Sequence, residues 1–222
     1  MTRIILVRHG ETEWNREERF RGRADIPLNA KGVAQAEATA SRIAEEWRPV
    51  AISCSPLCRA VRTADTIAKH FGFAAELHPG LVDIHYGEWQ GLTTAEARER
   101  WPDMLRAWYE APHTARIPGG ESLDQVRSRG MATVRALAAL HEGGTLVLVG
   151  HTVINRLILL GVLGLGNDRF WHLRQDTCSI NVFDADEGDF TLVSLNDTCH
   201  LKPRRTEGSP LHSSLSVHPE NR

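Results

Sequence analysis

Apolar residues along the chain fall into two recurring patterns, and their alternation predicts the architecture. Short, wholly apolar runs read as buried strands of a parallel sheet. They are Ile4 to Val7, Val50 to Ile52 and Leu146 to Val149. Between them, apolar residues recur at spacings of three and four, as on one face of a helix. One such helix spans 31–47, with Val33, Ala36, Ala40, Ile43 and Trp47 on its apolar face. A second is expected from a Ser55 N-cap and Pro56 at the first helical position to about Phe71, burying Val61, Ala64, Ile67 and Ala68. Capping boxes at Thr93 to Glu96 and Ser122 to Gln125 open two more. The latter turns Leu123, Val126, Val134, Leu137 and Leu140 inward, and Gly143-Gly144 stops it. A last helix runs from Thr152 to about Leu163. Residues 75–77 suggest one more short strand, and 178–183 with 190–195 alternate as a hairpin at the sheet edge. From 103 to 118 the periodicity fades, and Trp108, Tyr109, Pro112 and His113 fit either a lid or a packed surface segment. The fold class is therefore α/β, a three-layer α/β/α sandwich around a mostly parallel sheet.

Composition changes this picture little. The 222 residues are 41% hydrophobic and 24% charged with a net charge of −2, so nothing global points to nucleic acid or an anionic membrane. Any anion-binding charge must be local. Arg8 and His9 interrupt what would be the apolar core of a secretory signal, and the stretch Leu157 to Leu165 is too short to span a bilayer, so a cytoplasmic location is expected. Cys54, Cys58, Cys178 and Cys199 show neither a C-x-x-C pair nor zinc-site spacing and read as reduced, structural thiols. One domain over 1–202 is expected, followed by a disordered tail over 203–222 rich in Pro, Ser, His and Arg.

The candidate chemistry gathers at strand ends. Open α/β sheets bind ligands at the carboxyl ends of their strands. There the chain places Arg8-His9-Gly10, then Arg59 in the opening turn of a helix, then Gly150-His151-Thr152. Arginine at a helix N-terminus reinforces an anion site. The segment 14–28, with Arg16, Arg19, Arg21 and Arg23, reads as a loop forming an electropositive rim. Two acids, a histidine, two glycines and two aromatics within 81–91 read as a site loop.

In four places the chain resembles the histidine phosphatase superfamily, whose fold is phosphoglycerate mutase-like. The stretches are Leu6-Val7-Arg8-His9-Gly10-Glu11-Thr12 with Asn15, Ser55-Pro56-Leu57 with Arg59, Asp83 through Gly87-Glu88-Trp89-Gln90-Gly91, and Val149-Gly150-His151. The resemblance implies a metal-independent phosphomonoesterase without cofactor, acting on a small phosphorylated metabolite through a phosphohistidine. His9 is then the nucleophile; Arg8, Asn15, Arg59 and a protonated His151 bind the phosphoryl group. Asp83 stands where the family usually has a glutamic acid that serves as acid and base, and Glu88 is the alternative. Arg21, Gly22, His85 and His200 are candidate substrate contacts, Arg21 replacing a frequent glutamine as an extra cation for a second anionic group. Between Gly91 and Gly119 lie 27 residues (92–118), short for the mutase branch, so a mutase is the alternative enzyme and a phosphate sensor the alternative of another class. Phosphoserine, a phosphorylated sugar or glycerate, and α-ribazole phosphate remain candidate substrates, and a homodimer through the sheet edge or hairpin stays open.

Overall fold

The computed structural model describes residues 1–202, so the expected tail over 203–222 lies outside the described residues. Six strands form one sheet: β1 (Thr2–Arg8), β2 (Ala51–Cys54), β3 (Glu76–Leu77), β4 (Thr145–Gly150), β5 (Ile180–Asp186) and β6 (Asp189–Asp197). Their order is β3-β2-β4-β1-β5-β6. The first four in that order are mutually parallel, while β5 and β6 run antiparallel as the hairpin expected at the edge. Seven helices are α1 (Glu13–Arg16), α2 (Ala30–Glu46), α3 (Cys58–Ala68), α4 (Thr94–Arg100), α5 (Pro102–Glu110), α6 (Leu123–Leu140) and α7 (Thr152–Val162).

Side-chain alternation in β1 and β4 divides the interior in two. Ile5, Val7, Val147 and Val149 pack with Ala40 and Ile43 of α2 and with Ala60, Ala64 and Ile67 of α3. Ile4, Leu6, Leu146 and Leu148 face the other way, onto Val126 and Val134 of α6 and Ile154, Leu157 and Ile158 of α7. Both faces of the central strands are thus buried, which is why those strands read as unbroken apolar runs. Among the described residues no helix is long and apolar enough to cross a membrane.

Several boundaries depart from expectation. The loop after β1 opens with helix α1, closed by a reciprocal Thr12/Asn15 capping box. Helix α3 starts at Cys58, not behind Ser55, because Leu57 stays extended (φ −72°, ψ 135°) and the N-terminus is capped from elsewhere: the Cys58 N–H donates to Asp25 Oδ1 at 2.7 Å. Leu140, expected inward, is 71% exposed, since it closes α6 beyond the sheet. The undecided 103–118 region contains α5, which buries only Leu105 and Trp108 and so carries too few apolar positions for its period to show. Gly130 does more than weaken α6: a Cβ there would stand 2.6 Å from Ile154 Cδ1, so it lets α6 and α7 approach.

The loop after β1 is seated on α2 backbone to backbone. A Cβ on Gly32 would lie 2.0 Å from Glu11 O and 2.7 Å from Glu11 N, and one on Gly10 would lie 2.4 Å from Gly32 O. Only glycines allow this approach. Gly32→Ala should therefore cost about 3 kcal/mol through overpacking that no side chain can relieve, lowering Tm by roughly 6–12 °C in a chain of this size. Calorimetry checks this; an unchanged Tm would show that the loop can lift off α2 freely.

Candidate active site

Strand register brings the two histidines together. Arg8 pairs with Gly150 across β1 and β4, and the His9 N–H continues the ladder to Gly150 O at 3.1 Å. The imidazole rings of His9 and His151 end 5.0 Å apart, inclined at 59°. His9 Nδ1 lies 2.6 Å from Gly10 O. A carbonyl only accepts, so Nδ1 carries the proton and Nε2 keeps its lone pair. Burial, followed by the charge of Arg59 and, more weakly, that of Arg8, holds the His9 pKa well below that of an ordinary histidine. The imidazole is neutral.

His151 has the opposite tautomer. It is the N-cap residue of α7, and its Nδ1 accepts from Arg59 Nε at 3.2 Å. Its proton must then sit on Nε2, which is buried without a hydrogen-bond partner among the described residues. Burial and the Arg59 and Arg8 charges hold its pKa well below the usual value too. The expected imidazolium is corrected to a neutral ring, because a nitrogen that accepts from a guanidinium cannot itself be protonated. What His151 offers is one unsatisfied N–H.

Two arginines are fixed by carbonyl oxygens. Arg59, fully buried, donates from Nη1 to Ala24 O (2.6 Å) and from Nη2 to Gly22 O (2.8 Å). Gly22 adopts φ +48°, and a Cβ would come within 2.8 Å of Ile84 O, so the loop that receives Arg59 requires glycine. Arg8 donates from Nη1 to Gln175 O at 2.5 Å, while its buried Nε has no partner among the described residues. Burial and the neighbouring Arg21 and Arg156 pull its pKa down to about 9. Gln175 is held by Asn181 (Nε2 to Oδ1, 2.8 Å), which donates to Leu6 O at 2.9 Å, tying Arg8 to the strand that carries it. Neither Gln175 nor Asn181 has a motif to announce it.

Asp83 is 4% exposed, and burial raises its pKa against the opposing pull of Arg59. Oδ1 faces the Ile154 N–H in the first turn of α7 at 3.4 Å. The segment behind it is clasped by Arg129 of α6, whose guanidinium donates to Val82 O (2.5 Å) and Asp83 O (3.0 Å) and pairs with Glu121 at 3.1 Å. Glu88, the alternative acid, is exposed and not on the cavity wall.

A cavity of about 610 Å³ opens over the strand ends, and Arg8, Asn15, Arg21, Gly22 and Asp83 stand on its wall. Asn15 gives its amide oxygen to the Thr12 N–H (3.0 Å) and hydroxyl (2.8 Å), so only its Nδ2 donors are left for a ligand. Two expected contacts fall elsewhere. His85 turns its Nδ1 to the Gly87 N–H at 3.1 Å and serves the turn, leaving the cavity wall to Tyr86. His200 sits in a 3₁₀ turn (Cys199–Leu201) against α2, with Nε2 3.0 Å from Thr39 Oγ1, and lines a separate groove. Of the expected basic rim, Arg19 and Arg21 reach the cavity; Arg16 pairs with Glu13 and Arg23 with Glu121. Arg156 of α7, five residues past His151, also lines the wall, as do Trp108 of α5 and Phe170 and Trp171 of a 3₁₀ turn (Asn167–His172), and these three aromatics lie far from any motif. Among the described residues no three His, Cys, Asp or Glu side chains are grouped to hold a metal ion.

Phosphoserine phosphatase 1 of Hydrogenobacter thermophilus is 35% identical over 201 residues, covering 90% of this chain and 95% of that protein. Among solved structures, Bacillus stearothermophilus YhfR superposes with a TM-score of 0.87 at 30% identity over 91% of this chain and all of that one. A phosphoserine phosphatase of Entamoeba histolytica in complex with 3-phosphoglyceric acid gives 0.82 at 28% identity, with 91% and 100% covered. Residues 4–198 match the sequence profile of branch 1 of the histidine phosphatase superfamily. With two buried histidines and their arginines at the strand ends inside that span, the chain belongs to the histidine phosphatase superfamily.

Proposed function

We propose that this histidine phosphatase hydrolyses small phosphomonoesters by passing the phosphoryl group through Nε2 of His9. The observation that carries the reading is the short Nδ1–H bond from His9 to Gly10 O, which aims a lone pair at the site on a ring that burial keeps unprotonated. Nε2 attacks phosphorus, a P–N bond forms, and the ester P–O bond breaks. Arg8, Arg59 and the orphan Nε2–H of His151 surround the three equatorial oxygens, donating where negative charge develops. Asn15 adds a neutral donor. Asp83, whose pKa burial raises, gives its proton to the leaving alkoxide. A water then attacks the phosphohistidine, Asp83 takes that water's proton, and phosphate leaves with His9 restored to neutrality.

Phosphate release from a panel of phosphomonoesters with EDTA present tests this reading, alongside an assay for 3- to 2-phosphoglycerate isomerisation. Release that survives EDTA supports it. Isomerisation outrunning release replaces hydrolysis by internal transfer, and silence in both assays leaves a phosphate sensor.

A pH profile follows from the two groups. His9 must be neutral, and its pKa is depressed, so activity persists below the ordinary histidine range and falls only as pH drops through the lowered value. Asp83 must be protonated, and its pKa is raised, so activity falls on the alkaline side as pH climbs through that value. The expected kcat/KM profile is a bell whose acid limb belongs to His9 and whose alkaline limb belongs to Asp83. Activity rising continuously to pH 9 would remove Asp83 from the role of acid.

A further inference from the structure

Asp83 Oδ1 meets the Ile154 N–H at 3.4 Å, too long for a strong hydrogen bond. A single methylene separates that carboxyl from the backbone, so its position follows the main chain closely. What holds the main chain of 80–83 therefore decides how far the acid reaches.

That main chain is gripped by one side chain. Arg129 of α6 uses all five of its N–H donors here. Nη1 donates to Gly80 O (3.1 Å) and Val82 O (2.5 Å), and Nη2 to Asp83 O (3.0 Å). Nε and Nη2 also donate to the two carboxylate oxygens of Glu121, each at 3.1 Å. Glu121 completes the grip, because its Oε2 accepts the His85 N–H at 2.8 Å and pairs with Arg23 at 3.1 Å. Arg23 stands between Gly22 and Ala24, whose carbonyls receive Arg59. On the other side, Gly130 follows Arg129 in sequence and is where α6 closes on Ile154 of α7, the helix capped by His151. The Asp83 carboxyl is thus located against both Arg59 and His151 by way of a residue that is not on the cavity wall.

We propose that Arg129, with Glu121 as its counter-charge, is a positioning residue that sets the reach of the Asp83 carboxyl to the leaving-group oxygen. It touches no reacting atom. This rests on the acid role given to Asp83 above. Without the guanidinium three carbonyls lose their donors, the 80–83 main chain drifts, and proton transfer suffers, since a misplacement of about 1 Å can cost ~10²-fold. The loss is selective. An alkyl phosphate depends on that proton, whereas an aryl phosphate with an acidic phenol does not.

Arg129→Met should lower kcat/KM for glycerol 3-phosphate by roughly 10- to 100-fold, and that for 4-nitrophenyl phosphate by less than about threefold. Arg129→Lys, which keeps the charge but has fewer donors than there are acceptors, should restore part of the alkyl rate. Arg129→Met added to Asp83→Asn should slow the alkyl substrate no further, because no proton is left to place, whereas a residue that only stabilises the fold would add its loss in full. If the methionine variant does not fold, Glu121→Gln, which removes the counter-charge and keeps the bulk, carries the same comparison. Equal losses on both substrates, no loss on either, or full additivity with Asp83→Asn would overturn the proposal. A selective loss in Asp83→Asn with none in Arg129→Met strikes the positioning role alone. A non-selective Asp83→Asn strikes the acid role itself, and the positioning role falls with it.

Discussion

His9→Ala is expected to remove phosphate release from every phosphomonoester, by roughly 10⁴- to 10⁶-fold, the scale on which deletion of a covalent nucleophile acts. No neighbour can replace it. The His151 nitrogen that keeps a lone pair, Nδ1, is occupied by the Arg59 guanidinium, and its free nitrogen, Nε2, carries a proton. Binding should outlast turnover, because Arg8 and Arg59 are held by the Gln175, Ala24 and Gly22 carbonyls and not by His9. Rapid quench with ³²P-labelled substrate should trap an acid-labile, alkali-stable phosphoenzyme in the native protein and none in the variant. Residual turnover above about one per cent of native, or a phosphoenzyme still formed, would move the nucleophile elsewhere.

Asp83→Asn should have the next largest effect, and a selective one. Asparagine keeps the shape and can still accept from the Ile154 N–H, but it has no proton to give. Alkyl phosphates, whose alkoxide leaves only if protonated, should slow by about 10²- to 10⁴-fold. An aryl phosphate with an acidic phenol needs no such help, and its first step should slow far less. Because the variant also lacks the base for the attacking water, the aryl substrate should give a burst of phenol and accumulated phosphohistidine. Equal losses on both substrate types would show that Asp83 positions the ligand and transfers no proton.

Much of this was legible in the chain before its structure. Unbroken apolar runs ending in Arg8-His9 and Gly150-His151 give two neighbouring parallel strands, because a strand covered on both faces has no polar positions to spend until its end. Capping boxes at Thr93 and Ser122 start helices where they are written. Other features depend on partners distant in sequence. The Asp25 carboxylate that caps α3 is 33 positions away, and nothing local tells it from a loop aspartate. The charge state of His151 follows from which face Arg59 presents to it, a matter of tertiary geometry that composition cannot carry. His85 and His200 show the reverse failure: each has a residue type suited to a site, yet a turn amide claims one and Thr39 the other. The aromatic wall was half visible: Trp108 and Tyr109 fell in the undecided 103–118 segment, while Phe170 and Trp171 of the 3₁₀ turn share no pattern with the motifs.

The pairing of β1 with β4 bears on how such a protein can change. Neighbouring strands lie about 4.8 Å apart, and the histidine rings at their ends are separated by 5.0 Å. The distance between the two imidazoles is therefore set by the hydrogen-bond ladder, and a ladder moves only in whole residues. A slip by one would exchange Ile4 and Leu6 with Ile5 and Val7 between two different interiors. Selection thus has no small steps with which to adjust the reacting distance, but it has many at the aromatic wall, where a side chain can be replaced without disturbing the sheet. Divergence in this chain's lineage should then appear as drift of substrate around an unmoving chemical step.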